Sequence, residues 1–144
     1  MKYLLLALML AASPAAAQIK IENAWARATA PGSKIAAGYM VIHNQAAAPD
    51  RLIAASSLAA EKVETHVTFR EADVFRMREV KAYEIPAHGA FELKPGGAHL
   101  MFVNLKAPFK EGAKVPLTLR FERSGEVKIE MQVGRLTDAP KHAH

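Results

Sequence analysis

The chain has 144 residues and a formal net charge of +5 at pH 7, with 51% hydrophobic residues and no cysteine. This length suits one domain, and the composition excludes wholesale disorder and the fibrous classes. Without cysteine there can be no disulfide framework, iron–sulfur cluster, thiolate zinc or blue-copper site, or cysteine nucleophile. Any metal chemistry must therefore use oxygen, nitrogen or thioether ligands.

The first seventeen residues are typical of an export signal. Lys2 precedes an apolar run from Tyr3 to Ala12, and the small residues 15–17 form a cleavage site before Gln18. The run is shorter than the roughly 20 apolar residues that a membrane span needs. We predict a cleaved signal peptide over 1–17 and no membrane span in the mature chain, with a buried N-terminal helix as the alternative.

The remaining chain alternates apolar and polar residues with a period of two, which is typical of half-buried strands. Ten short segments carry this pattern or a short apolar run: 19–21, 24–28, 35–43, 51–56, 63–69, 74–80, 91–93, 100–105, 115–121 and 127–133. Clusters of turn-forming residues separate them, and only residues 54–60 could form a turn of helix. We predict one all-β domain over 18–136, a sandwich or barrel of about 8–10 short strands.

Two hairpins are predicted from the order of these segments. One joins residues 115–121 to 127–133. The other joins 63–69 to 74–80 with its centre between Glu71 and Ala72. That centre would place His66 directly across from Met77, with Cβ atoms about 5 Å apart.

A second pair of histidine and methionine lies later in the chain. His99 and Met101 are two residues apart at the start of a predicted strand, so they share a face. Together with His66 and Met77 they form a soft, uncharged set of two imidazoles and two thioethers. Such a set suits Cu(I) far better than Mg, Ca or Mn, which prefer oxygen. Thioethers also tolerate an oxidising compartment, because they form no disulfides.

These four residues have the spacing H-x10-M-x21-H-x-M, and the chain here resembles the periplasmic copper chaperones called PCuAC. The other shared segments are AWARATAPG at 24–32, AAGYM at 36–40, MREV at 77–80 and LKPGGAHLM at 93–101. The resemblance covers nearly the whole mature chain. It implies a cupredoxin-like β-sandwich that binds Cu(I) through His66, Met77, His99 and Met101.

The resemblance also implies a role without enzymatic activity. A periplasmic protein of this kind would carry copper toward the assembly of cytochrome c oxidase. The expected acceptors are the copper subunit of the oxidase and a Sco-type assembly protein, and we expect a monomer.

Arg70, Arg76 and Arg78 lie near Met77 in sequence, and we expect them to guide docking on an acidic partner.

The last residues, 137–144, show no apolar pattern and are predicted to be a mobile tail. The tail carries His142 and His144, which could hold Cu(II) weakly as a secondary site; a tail without function is the alternative.

Other functions stay open on the sequence alone. General copper storage or tolerance, and a structural β-sandwich with incidental metal binding, are the alternatives to a chaperone. A blue-copper electron carrier lacks its thiolate, and no nucleophile–base set of a hydrolase is visible. Met40 and Met131 are predicted to be core residues rather than ligands.

Overall fold

The structure is a computed structural model that describes residues 18–135. The described residues form ten strands: β1 Ile19–Arg27, β2 Ile35–Asn44, β3 Asp50–Ser56, β4 Ala60–Glu71, β5 Val74–Glu79, β6 Tyr83–Ile85, β7 Ala90–Leu93, β8 Ala98–Leu105, β9 Lys114–Phe121 and β10 Gly125–Gly134. In this part of the chain no helix has the length and apolar character needed to cross a membrane. The predicted signal peptide and the histidine-containing tail lie outside the described residues.

Seven of the strands close into a barrel in the order β4-β8-β2-β1-β10-β9-β3, and β3 pairs back with β4. Neighbouring strands are antiparallel except for β1 and β10, which are parallel. Closure satisfies the backbone groups that an open sheet would leave at its edges. The predicted all-β fold is therefore confirmed, including the hairpin of β9 and β10.

The barrel interior is filled by the inward-facing side chains of these strands. Leu100 and Phe102 of β8 have no exposed surface, and Met40 and Met131 are buried core residues as predicted. A Cβ atom on Gly38 would lie 3.0 Å from both the Met131 Sδ and a ring carbon of Phe102. Glycine at this position therefore lets β2 approach the tightly packed core closely at the point where it pairs with β8.

Besides small shifts in strand ends, the secondary structure differs from the sequence prediction in three places. The two segments predicted at the start are one strand, β1, with a register shift between Glu22 and Trp25. The short strand β6 was missed and pairs with β3. The turn of helix that the sequence allowed over 54–60 does not form, since these residues end β3, form a turn and begin β4. Their pairing with neighbouring strands outweighs the weak helical pattern.

The hairpin of β4 and β5 forms an arm, and among the described strands β5 pairs only with β4. Its turn residues Ala72 and Asp73 both have positive φ, 44° and 67°, as in a two-residue turn that matches strand twist. The turn is centred between Ala72 and Asp73, one residue later than predicted, so the predicted register is wrong. Thr68, not His66, lies across from Met77.

Candidate metal centre

Two of the four predicted ligands lie side by side on the outer face of the barrel. His66 of β4 and His99 of β8 are directly paired across the strands, and their ring centroids are 5.6 Å apart. The neighbouring residues Thr65 and Leu100 are buried on the inward face, so strand alternation directs both imidazoles outward. The topology thus brings together two histidines that are far apart in sequence.

The two methionines reach this histidine pair from different sides. Met101 follows His99 by two residues on the same face of β8 and lies across from Glu64. Met77 lies across from Thr68, which shares its face of β4 with His66. Met77 is therefore a diagonal neighbour of His66, at roughly 7–8 Å between backbone positions, rather than its direct partner. The partner of Met77 on β4 is two residues away from the predicted one, so Met77 still lies on the predicted face.

The four side chains differ in exposure. His99 is 4% exposed and Met101 is 9% exposed, although both belong to the outer face. The His66 side chain is 16% exposed. Met77 is 57% exposed. Three of the four side chains are therefore largely shielded from water, and Met77, on the β4–β5 arm, is exposed to it.

Within residues 18–135, each imidazole has one nitrogen in a hydrogen bond and one without a hydrogen-bond partner. The Nδ1 of His99 donates to the Gly97 carbonyl at 3.2 Å, and the Nε2 of His66 donates to the Glu64 carboxylate at 2.7 Å. These bonds place the protons and leave lone pairs on His99 Nε2 and His66 Nδ1, which are buried without a hydrogen bond. Buried polar atoms are seldom left unsatisfied, whereas metal-binding histidines show this division of roles.

Burial keeps His99 in the form that can bind a metal. Desolvation lowers the pKa of His99, and the nearby His66 lowers it further, against the opposing hydrogen bond to Gly97. The imidazole therefore stays neutral to lower pH than an exposed one, with its Nε2 lone pair available. The ion that this donor set would suit is a soft one, because it consists of imidazoles and thioethers.

Glu64 is held in its charged form beside His66. The Lys62 ammonium lies 2.7 Å from the Glu64 carboxylate, and hydrogen bonds from Lys62 and then from His66 lower the pKa of Glu64. Glu64 therefore stays ionised over the ordinary pH range and accepts the hydrogen bond from the His66 Nε2–H. Sequence reasoning did not assign this role to Glu64, although two-residue spacing on a strand places it on the face of His66.

Tyr83 supports the histidine pair from inside the barrel. Its hydroxyl lies 2.6 Å from the His66 carbonyl and 2.7 Å from the His99 carbonyl. The side chain is 2% exposed and stacks on Phe91 at 4.8 Å, and burial raises the pKa of Tyr83 so that the hydroxyl keeps its proton. Tyr83 therefore ties β6 to the point where β4 and β8 carry the two imidazoles.

An aromatic pair lies on the same outer face beyond β8. Trp25 of β1 and Tyr39 of β2 are cross-strand partners with ring centroids 4.9 Å apart. Ala37, two residues before Tyr39, lies across from Met101. The small side chain of Ala37 leaves room beside Met101, while the aromatic pair covers the adjoining part of the face.

Comparisons with known proteins give one family and one fold. The family described as "Putative lipoprotein LpqE-like" matches residues 19–133. A curated relative, "Putative lipoprotein Lxx21020" of Leifsonia xyli subsp. xyli, is 33% identical over 116 residues, which are 80% of this chain and 69% of the relative.

Two solved structures share the fold over most of their length. The copper-bound PCuAC domain from PmoF2 is 33% identical with a TM-score of 0.70, covering 85% of this chain and 94% of that domain. The Cu(I) form of DR1885 from Deinococcus radiodurans is 26% identical with a TM-score of 0.66, covering 82% of this chain and 78% of that one.

Proposed function

The chain belongs to the LpqE-like family of PCuAC-type proteins, and from this premise we propose that it is a copper chaperone that binds one Cu(I) ion and passes it on. The proposed ligands are His99 Nε2, His66 Nδ1 and the thioether sulfurs of Met101 and Met77. The observation that carries the proposal is the pair of buried imidazole nitrogens, on neighbouring rings, to which no described residue gives a hydrogen bond. A bound cation removes the cost of leaving those lone pairs unsatisfied.

The donor set favours the monovalent state of copper. Imidazole and thioether are neutral donors, so they stabilise Cu(I) without adding charge to a site that is mostly shielded from water. The copper-bound PCuAC domain from PmoF2 and the Cu(I) form of DR1885 support copper as the cargo. A carrier of this kind performs no catalysis.

The proposed destination of the copper is cytochrome c oxidase assembly in the periplasm. The acceptors would be the copper subunit of the oxidase or a Sco-type assembly protein, and the carrier would act as a monomer. The description of the curated relative as a lipoprotein supports export from the cytoplasm. General copper storage or tolerance is the second candidate function, and it shares the same binding site.

Copper loading followed by transfer separates these functions. The chain from Gln18 onward, loaded with Cu(I) without oxygen and desalted, is expected to retain one copper ion at this site. Mixing it with a copper-free Sco-type protein or oxidase copper subunit should move that ion to the acceptor. Retention without transfer would favour storage, and a desalted chain without copper would support a structural β-sandwich.

Glu64→Ala is expected to weaken Cu(I) binding by about 10–100-fold, because the carboxylate that holds the His66 proton on Nε2 is lost. Glu64→Gln keeps a carbonyl acceptor and should recover most of the affinity. Competition against a chromophoric Cu(I) chelator gives the affinities, and nitrogen-15 NMR of the His66 ring reports its tautomer. Equal affinities and an unchanged tautomer in Glu64→Ala would remove this positioning role.

The tail histidines His142 and His144 remain a proposed secondary Cu(II) site, outside the described residues. Two imidazoles at this spacing can chelate a divalent ion. Deleting residues 141–144 should lower the number of Cu(II) ions bound per chain while Cu(I) binding persists. An unchanged Cu(II) stoichiometry would contradict the secondary site.

A further inference from the structure

The β4–β5 arm exposes one proposed ligand far more than the others. Met77 is 57% exposed, while Met101 on the barrel wall is 9% exposed. Both are thioethers on the same outer face, so their chemistry is the same and only their surroundings differ. A molecule approaching from solvent therefore meets the Met77 sulfur before that of Met101.

The surroundings of Met77 keep that side open. Every residue of β5 is exposed, and among residues 18–135 β5 pairs only with β4, so no strand of this part of the chain covers its second edge. Phe75 lies two residues before Met77 on the same face and is 70% exposed. The exposed Phe75 and Met77 side chains therefore adjoin on one face of β5 and are available for contact with another molecule.

We propose that Met77 is the exchangeable ligand of the site and that copper leaves across β5 to an acceptor offering a soft sulfur ligand. This inference rests on the proposed function, since it concerns the route by which the bound Cu(I) is passed on. His66, His99 and Met101 hold the ion while the acceptor sulfur takes the position of Met77. Their burial keeps water from competing for the ion during the exchange.

The exchange step conserves charge and electrons. The bond between copper and the Met77 Sδ breaks as a bond from the acceptor sulfur forms, and copper remains Cu(I) throughout. A thioether carries no proton, so none moves at Met77. A thiol acceptor releases its proton to solvent as it binds, and a thioether acceptor releases none.

The charges of the arm indicate that the acceptor is not selected there by opposite charge. Residues 66–79 contain three arginines and three acidic residues. Arg70 pairs with Asp73 at 2.6 Å, and Arg76 pairs with Glu71 at 3.5 Å.

Arg78 lies over the Phe69 ring at 5.2 Å, and strand alternation places Arg76 and Arg78 on the face away from His66. Of the three arginines expected to guide an acidic partner, only Arg70 shares the face of the site. On the face of the site the arm therefore offers a sulfur ligand and apolar surface, and its arginine there, Arg70, is already paired with Asp73.

Methyl NMR can follow the exchange with glutathione as the sulfur donor. In the Cu(I)-loaded chain labelled at the methionine methyl groups and the histidine ring nitrogens, small additions of glutathione should return the Met77 signal toward its copper-free position first. The Met101 and His99 signals should keep their copper-bound positions until more glutathione is added. The core residues Met40 and Met131 serve as internal references, because neither is a proposed ligand.

Two matched variants test the same order by kinetics. Met77→Leu leaves the exchange position open, so the second-order rate constant for copper capture by glutathione should rise about tenfold. Met101→Leu keeps Met77 in place, so its rate constant should rise less than that of Met77→Leu. The inference would be overturned if the Met101 signal returned to its copper-free position before that of Met77, or together with it. A larger rise of the rate constant in Met101→Leu than in Met77→Leu would also overturn it. A chain whose histidine signals do not respond to Cu(I) would instead contradict the proposed function itself.

Discussion

Replacing His99 with alanine is expected to lower the Cu(I) affinity of this chain by at least about 100-fold, or ~2.7 kcal/mol. His99 is the most buried of the proposed ligands, its free nitrogen has no other partner, and the Gly97 carbonyl fixes its proton on the opposite nitrogen. Its loss removes a donor that is already oriented, and alanine offers no replacement. His66→Ala should have an effect of similar size, because His66 also presents a buried ring nitrogen without a hydrogen bond from the described residues.

Competition against a chromophoric Cu(I) chelator measures these affinities, with circular dichroism to check folding. His43→Ala is the matched control, since His43 lies on the same barrel strand as Tyr39 but pairs with Glu22 at 2.9 Å. The control should bind Cu(I) as tightly as the unmodified chain. Equal binding by a folded His99→Ala variant and the control would exclude His99 as a ligand.

Phe102→Ala is expected to lower the free energy of unfolding by about 3–5 kcal/mol, the largest stability loss that we predict. The ring has no exposed surface and packs edge-on against Phe109 at 5.4 Å. Its strand neighbours are Ala36 and Val63, whose small or branched side chains cannot fill the space that it would leave. Because Phe102 follows Met101 on β8, the cavity would open directly behind the proposed metal centre.

Urea denaturation of the copper-free chain measures this loss as a lower midpoint. Phe75→Ala is the matched control, because Phe75 is mostly exposed on the β4–β5 arm and its loss should change stability by less than about 0.5 kcal/mol. Cu(I) should raise the midpoint of either variant by an amount that grows with the logarithm of its remaining affinity. A Phe102→Ala midpoint equal to that of Phe75→Ala would contradict this placement of the core.

Alternation along the chain was sufficient to predict most of the barrel. The pattern of Val115, Leu117, Leu119 and Phe121 identified β9 and its partner β10, because each apolar residue faces the same interior. β6 escaped prediction because three residues are too few for a period of two to be visible. It forms because Tyr83 and Ile85 complete the interior beside β3, a contact between distant segments.

The proposed site was predictable in its residue types and faces but not in its exact neighbours. Local alternation placed His99 and Met101 on one face, and it kept Met77 on the face of His66 despite the wrong register. The direct pairing of His66 with His99 depends on how β4 lies against β8, which no local pattern specifies. The tyrosine beneath that pair depends on the same long-range contact.

X-ray absorption at the copper K edge tests the central claim most directly, because it reports the atoms bound to Cu(I) in the loaded chain. The chain contains no cysteine, so any protein sulfur bound to copper must come from methionine. We predict two imidazole nitrogens and two sulfurs around one copper ion, with one sulfur lost in Met77→Leu and one lost in Met101→Leu. A copper ion bound only by nitrogen and oxygen, or sulfur signals unchanged by both substitutions, would contradict the proposed site.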